Sequence, residues 1–157
     1  MIALNDKLTR IIESQTTSIW LCNRNARLVP DVARLMSARV EPDRQHVRVY
    51  VPAPGAAGVL ANLAVAPGLT LLMAVMDTYE AYQVKGTYAG QRACTPEEVA
   101  YQRAYVEGFA DALARQQLPR ERAIAAYFRQ PSVAVRLRVE ELYEQTPRKG
   151  TGVRIVP

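Results

Sequence analysis

Small residues predominate at positions 52–58, between a predicted strand and a short predicted helix. Residues 46–51 alternate apolar and polar side chains, which is typical of a half-buried strand. The Pro-Ala-Pro-Gly sequence that follows ends this strand, and an apolar stripe over residues 59–64 predicts a helix that ends before Pro67. A helix start with uncovered N–H groups and no bulky side chains can bind a phosphate. The pattern therefore indicates a candidate phosphate-binding loop.

The residues that most enzymes use for acid–base or metal chemistry are scarce. His46 is the single histidine, which argues against a Ser-His-Asp triad and against a histidine-based metal cluster. Cys22 and Cys94 lie far apart and lack the spacing of metal ligands, so we interpret both as reduced buried thiols, with a disulfide or a reactive thiol as the alternative. No pair of carboxylates has a spacing that predicts paired acid–base chemistry. The sequence therefore assigns no catalytic residue and no metal site.

The positive charge is concentrated in the last third of the chain. The net charge is +5, with 20 Lys and Arg against 15 Asp and Glu, and residues 115–157 hold nine of the basic residues and only four Glu. Most of these basic residues are arginines, which favour bidentate contacts with phosphate or carboxylate. A solvated basic surface is the alternative interpretation. The sequence shows no RNP-like, KH or helix-turn-helix signature, so it gives nucleic-acid binding little support.

Length and composition predict one folded domain over residues 1–157, and the order of its predicted strands and helices predicts class α+β. The chain is 49% hydrophobic and 22% charged, which is ordinary for a globular protein. No stretch is apolar enough to span a membrane and the N-terminal residues lack a signal-peptide core, so we expect a cytoplasmic location without a membrane partner. The segment after Pro147 is predicted to be loose.

The order of the elements predicts an antiparallel meander or barrel with helices at its edges. Thr95, Pro96 and Glu98 predict the start of a helical extension over residues 95–128 through a capping box. Gly86 within a strand predicts a bulge or a close backbone approach, and Trp20 is predicted to be a core residue, with a ligand platform as the alternative. Helices are predicted at about 5–14, 59–64, 95–117 and 119–128, and strands at 17–22, 33–40, 46–51, 69–76, 79–88 and 132–139.

Residues 33–88 resemble the FMN-binding split barrel of the pyridoxamine 5′-phosphate oxidase-like proteins. Three segments carry the resemblance: the hairpin ARLMSARVEPDRQHVRVYV, the helix-to-strand step PGAAGVLANLAVAPGLTLL and the strand YEAYQVKG. It covers roughly half of the chain, and no single motif within it is highly specific. The resemblance implies a Greek-key-like split β-barrel and a homodimer that binds flavin mononucleotide in a cleft at the subunit interface.

The resemblance also implies a set of cofactor contacts. The amide of Gln83 would face the flavin ring with Lys85 on the same strand face, and residues 55–56 would begin the phosphate loop. This chain has Gly-Ala-Ala-Gly at 55–58 where the family's oxidases carry a basic pair, so a phosphate would need backbone N–H groups together with Arg39, Arg136 or Arg138. The matching positions are Ser37, Arg39, Val51, Pro52, Ala53, Gly55, Ala56, Gln83 and Lys85.

The leading hypothesis is an FMN-binding, flavin-dependent oxidoreductase-like protein whose substrate is unknown. A flavin performs the redox chemistry itself, so an acid–base side chain is dispensable. The first alternative is a non-catalytic dimer on the same fold that binds another small ligand or acts as a scaffold. The second is a phosphate or nucleic-acid binder that uses the arginine-rich last third.

Overall fold

The structure is a computed structural model that describes residues 2–155, which form four helices and eight strands. The helices are α1 (Asp6–Glu13), α2 (Ala57–Asn62), α3 (Pro96–Ala114) and α4 (Arg120–Tyr127). The strands are β1 (Thr17–Arg24), β2 (Pro30–Arg34), β3 (Ala38–Val40), β4 (His46–Pro52), β5 (Gly68–Val75), β6 (Ala81–Ala93), β7 (Ser132–Glu144) and β8 (Val153–Ile155). Among the described helices, none is long and apolar enough to cross a membrane.

The strands form one antiparallel sheet whose two ends are brought together by a single segment of chain. The strand order is β2-β1-β5-β6-β7-β4-β3, and β8 pairs with the end of β7. Residues 35–37 connect β2 to β3: the Leu35 N–H donates to Ile19 O of β1 at 3.0 Å, and the Met36 N–H donates to Tyr50 O of β4 at 3.1 Å. The sheet therefore curls into a split barrel with peripheral helices, as the sequence predicted.

The predicted single strand over residues 33–40 is wrong in detail, because this segment changes its pairing partner. Its first part pairs with β1 and its last part with β4. The change of partner interrupts regular strand geometry at residues 35–37. Hydrophobic alternation alone cannot show such an interruption, since it reports which face is buried and not which strand lies alongside.

The core fills the inside of the barrel through the alternation of side chains along each strand. Ile19, Leu71, Val84 and Leu137 each come from a different strand and are completely buried. β5 lies between β1 and β6 and so is paired on both of its edges. Trp20 is not a core residue: it points outward from β1 and is 38% exposed, because Ile19 and Leu21 on either side take the inward positions.

A bulge lies between β6 and β7, and both strands continue beyond their predicted ends. Lys85 lies opposite Glu141 whereas Gly86 lies opposite Val139, so Glu140 is the extra residue. A Cβ on Gly86 would overlap the carbonyl oxygen of Arg138, which confirms the bulge and close approach predicted at this glycine. The extra residue resets the alternation, and strand β7 continues to Glu144 instead of ending at residue 139.

Helix α3 begins with the predicted capping box and packs over β3 and β4. The Thr95 N–H donates to Glu98 Oε2 at 2.9 Å and the Glu98 N–H donates to Thr95 Oγ1 at 3.2 Å. Farther along the helix, the Tyr101 hydroxyl donates to Ala38 O at 3.1 Å, and Tyr105 is buried with its hydroxyl on Thr17 O. Both tyrosines therefore pack against the barrel.

The segment after Pro147 turns at residues 148–152 and then pairs with β7 through β8. Val153 lies opposite Glu144 and Ile155 opposite Leu142. The sequence predicted that the whole segment is loose. Its last two residues lie outside the described residues.

Candidate functional site

Arg34, at the end of β2, holds a half-buried guanidinium group among three aromatic rings. Its guanidinium carbon lies 4.0 Å from the ring centre of Tyr127, 4.4 Å from that of Phe109 and 5.5 Å from that of Trp20. Arg34 Nη1 donates to Ser18 Oγ at 3.2 Å, but the buried Nε and Nη2 atoms have no hydrogen-bond partner among the described residues. Burial lowers the pKa of Arg34, although arginine remains charged at neutral pH.

A cavity of about 200 Å³ opens beside this guanidinium, and we call it the arginine pocket. Its walls include Arg34, Pro52, Gly55, Tyr127 and Arg129. Gly55 has a φ of +87°, which favours glycine, and a Cβ added there would lie 3.8 Å from Arg129 Nη1. Among the described residues, no carboxylate oxygen lies within 4.0 Å of either arginine's nitrogens. Two uncompensated guanidinium groups therefore line one small cavity.

The start of α2 differs from the uncovered helix start that the sequence predicted. The helix has only six residues, and its N-cap, Ala56, makes no side-chain capping bond. The Asp31 carboxylate lies against Gly58, so close that a Cβ there would overlap Asp31 Oδ2. A carboxylate of the chain itself thus occupies the first turn of α2. The cationic groups lie on the Gly55 side of the loop instead.

The arginines that the sequence suggested for a phosphate are occupied elsewhere. Arg136 Nη2 lies 2.7 Å from Glu41 Oε2, and Arg138 Nη2 lies 2.9 Å from Glu140 Oε1. The guanidinium carbon of Arg39 lies 3.9 Å from the ring centre of Tyr101, and Arg39 Nη1 lies 3.6 Å from Glu97 Oε1. Arg34 and Arg129 could not be singled out from the sequence, because no local motif relates two arginines that are 95 positions apart.

The structure brings only some of the predicted cofactor contacts together. Pro52 and Gly55 line the arginine pocket, and Ala53 and Ala56 lie beside them in the same loop. Val51 faces the hydrophobic core, and Ser37 is completely buried with no hydrogen-bond partner for its hydroxyl among the described residues. Gln83 and Lys85 lie on the outer face of β6, where Lys85 lines a second, larger cavity.

A continuous row of side chains connects the arginine pocket to Gln83 across the outer face of the sheet. Arg34 lies opposite Trp20, Trp20 lies opposite Leu72, and Leu72 lies opposite Gln83. Three interstrand spacings of about 4.8 Å place Gln83 roughly 14 Å from Arg34. The side-chain oxygen of Gln83 accepts a hydrogen bond from Gln145 Nε2 at 3.3 Å. The row combines a cationic end, an apolar middle and an amide end.

A group of possible metal ligands elsewhere is compensated by arginines. Ligand atoms of Glu41, Asp43 and His46 lie within 4.8 Å of one another. Glu41 accepts hydrogen bonds from Arg48 and Arg136 at 2.5–3.1 Å, and Asp43 Oδ2 lies 2.6 Å from His46 Nδ1. Because two guanidinium groups balance its charge, we interpret this group as a structural ion-pair network.

No family model and no curated protein sequence matches this chain, but solved structures match nearly all of its length. HupZ from Group A Streptococcus has a TM-score of 0.57 at 13% identity, covering 98% of this chain and 99% of its own. An FMN-binding protein from Syntrophomonas wolfei has a TM-score of 0.54 at 11% identity, covering 92% of this chain and 87% of its own. A Lactobacillus delbrueckii protein assigned as a pyridoxamine 5′-phosphate oxidase has a TM-score of 0.54 at 17% identity, covering 90% and 93%. The chain therefore has the split-barrel fold of the pyridoxamine 5′-phosphate oxidase-like proteins.

Proposed function

We propose that this protein binds FMN, with the phosphate in the arginine pocket, and uses it for redox chemistry on a small molecule. Two guanidinium groups without carboxylate partners, Arg34 and Arg129, line a cavity beside Gly55, and this observation carries the proposal. Gly55 is also where the sequence resemblance puts the start of the phosphate loop. The fold shared with a solved FMN-binding protein supports the same assignment.

The residues of the arginine pocket fit a phosphate group. Buried N–H groups without a partner cost about 1–3 kcal/mol each, and Arg34 has such groups at Nε and Nη2. Both atoms are buried in the structure, so a phosphate in the cavity would accept hydrogen bonds from them only after a small shift of the Arg34 side chain, and bonds between charged groups are about twice as strong as neutral ones. Arg129 would add a second positive charge, replacing the basic pair that the loop lacks. The aromatic rings around Arg34 hold its guanidinium in place.

The row from Trp20 through Leu72 to Gln83 would accept the flavin ring. Trp20 and Leu72 offer an apolar surface, and the amide of Gln83 can both donate and accept hydrogen bonds at the polar edge of a ring. When bound, the flavin supplies the electron or hydride transfer. This chain's residues would bind and orient it, which is consistent with the absence of an assigned acid–base residue.

We further propose that the protein is a homodimer that uses the same outer face. Leu28, Val32 and Trp20 are exposed to 67%, 51% and 38% on or next to β1 and β2. A second copy covering this face would bury these apolar side chains and form the other wall of a flavin cleft. The molar mass from light scattering tests this directly, because a monomer at micromolar concentration would contradict it.

The comparison of FMN with riboflavin tests the phosphate assignment, since riboflavin is the same molecule without the phosphate. We expect the protein to bind FMN more tightly than riboflavin. An Arg129→Gln variant should lose roughly 10-fold or more in FMN affinity, the loss expected for a hydrogen bond to a charged group. Its affinity for riboflavin should stay unchanged. Arg122→Gln is the matched control, because Arg122 is an exposed arginine of α4 that does not line the pocket.

Three outcomes would contradict the proposal or one of its parts. If the wild type bound FMN and riboflavin with equal affinity, the assignment of the phosphate to the arginine pocket would be wrong. If it bound neither flavin, the assignment of FMN as the cofactor would be wrong. If FMN binds but a nicotinamide donor does not reduce it, the redox part is wrong and the non-catalytic alternative replaces it.

A further inference from the structure

A second cavity, of about 620 Å³, lies on the outer face of the sheet and shares no lining residue with the arginine pocket. Its centre lies on the next row of outward-facing side chains, two residues along the strands from the row that contains Gln83. In that row Cys22 lies opposite Thr70, Thr70 opposite Lys85, and Lys85 opposite Glu141. We call it the outer cavity. It is roughly three times as large as the arginine pocket.

Two cationic side chains from different strands line the outer cavity. Arg24 comes from the end of β1 and Lys85 from the middle of β6. Within the described part of the chain, neither has a carboxylate oxygen within 4.0 Å of its side-chain nitrogens. Lys85 Nζ instead lies 4.8 Å from the ring centre of Tyr143. Both charges are therefore available to a ligand.

The two carboxylates of the outer cavity are already balanced. The bulge in β7 turns both Glu140 and Glu141 to the outer face, whereas regular alternation would turn one of them inward. Glu140 accepts hydrogen bonds from Thr87 Oγ1 at 2.7 Å and Arg138 Nη2 at 2.9 Å. Glu141 accepts one from the Tyr143 hydroxyl at 2.6 Å and lies 3.8 Å from Arg154 Nη2.

The lining of the outer cavity carries two positive and two negative side chains; because Arg138 and Arg154 pair with the two glutamates from outside the lining, Arg24 and Lys85 are left without carboxylate partners. Its neutral groups include the Thr70 hydroxyl and the Cys22 thiol. Burial raises the pKa of Cys22, so this thiol adds no negative charge at neutral pH. The volume exceeds that of one small ion many times over, because a water molecule takes about 30 Å³ in the liquid.

We propose that the outer cavity binds a small organic anion through Arg24 and Lys85, which would hold its carboxylate or phosphate group. Arginine offers a planar fork to such an oxyanion, and lysine offers a mobile point charge. The cavity begins one row, which is two residues along the strand or roughly 7 Å, from Gln83. An anion bound there would lie beside the flavin ring as the substrate, an extension that rests on the proposed function. Anion binding itself does not require the flavin.

Titration of flavin-free protein with succinate, and separately with inorganic phosphate, tests the proposal by calorimetry. We expect binding of at least one probe at millimolar concentration, and the stronger of the two identifies the preferred oxyanion. An Arg24→Gln/Lys85→Gln variant should lose 10-fold or more in affinity, whereas Lys85→Arg should keep most of it. Arg27→Gln is the matched control, because Arg27 is an exposed arginine in the turn that follows β1 and does not line the cavity.

The arginine pocket could also bind inorganic phosphate, so Arg129→Gln is titrated in parallel. The proposal requires that Arg129→Gln retains the binding that the double variant loses. It is overturned if neither probe binds the wild type, if Arg27→Gln loses as much affinity as the double variant, or if only Arg129→Gln loses it. These results are separate from the flavin measurements: anion binding without FMN binding would refute the proposed function alone, and the reverse would refute this site alone.

Discussion

The ion pair between the buried Glu98 and the half-exposed Arg92, at the start of α3, leads to a prediction about stability and pH. Glu98 is 7% exposed, and its two carboxylate oxygens lie 2.7 Å from the two terminal nitrogens of Arg92. It also accepts hydrogen bonds from the Thr95 N–H and, at 3.3 Å, from the Tyr50 hydroxyl. The hydrogen bonds from Arg92 are the main reason that the pKa of Glu98 falls from 4.5 to about 2.

The size of this pKa shift sets the expected magnitude. Each pKa unit corresponds to about 1.4 kcal/mol, so the ionised form of Glu98 stabilises the folded state by roughly 3 kcal/mol near neutral pH. Because the pKa of Glu98 is lower in the folded state than in the unfolded state, the stabilisation is complete at pH values above the unfolded-state pKa. It is lost as the pH falls toward the folded-state pKa. About 2 kcal/mol of it should disappear between roughly pH 6 and pH 3.

The variant Glu98→Gln isolates this effect, because glutamine keeps the size of the side chain and can still complete a capping box. We expect the difference in unfolding free energy between wild type and variant to be about 2–3 kcal/mol near pH 6 and to shrink to roughly 1 kcal/mol near pH 3. Urea denaturation followed by circular dichroism at several pH values measures it.

Glu97→Gln is the matched control in the same helical turn. The Glu97 side chain is 83% exposed and lies 3.6 Å from Arg39, and such surface pairs contribute about 0–1 kcal/mol. If both variants lost the same stability, or if the Glu98→Gln difference did not change with pH, the assignment of the stabilisation to the Glu98–Arg92 ion pair would be refuted.

Two further predictions concern the barrel itself. Gly86→Ala should destabilise the protein by about 1–3 kcal/mol, the usual cost of overpacking, because the new methyl group would overlap the Arg138 carbonyl oxygen. Gly68→Ala is the control, since no atom lies within 4 Å of the added Cβ, and it should be nearly neutral. Thermal or urea unfolding measures both variants. Leu71→Ala should cost about 2–5 kcal/mol by leaving a cavity in the core, since Leu71 is completely buried. Val65→Ala, at a side chain that is 61% exposed, should change the unfolding midpoint little, and equal losses for the two would contradict the described core.

Local patterns in the sequence were sufficient for most of the elements. The capping box at Thr95 and Glu98 depends on residues three positions apart, and the alternation in β1 and β4 depends on neighbours along one strand. Such signals are contained within a few residues, because the period of a helix or strand decides which side chains share a face. The resemblance over residues 33–88 then indicated the correct fold.

The tertiary structure decided the candidate sites. Arg34 and Arg129 meet at one cavity only because the α4–β7 connection returns to the loop after β4. Likewise, Glu140 and Glu141 share the outer face because β7 gains one residue relative to β6. Strand register and the packing of distant segments set these positions, and a one-residue shift in register reverses which side chains face outward. The sequence by itself therefore determined the elements and the fold, whereas which charged groups meet depends on pairing between distant strands.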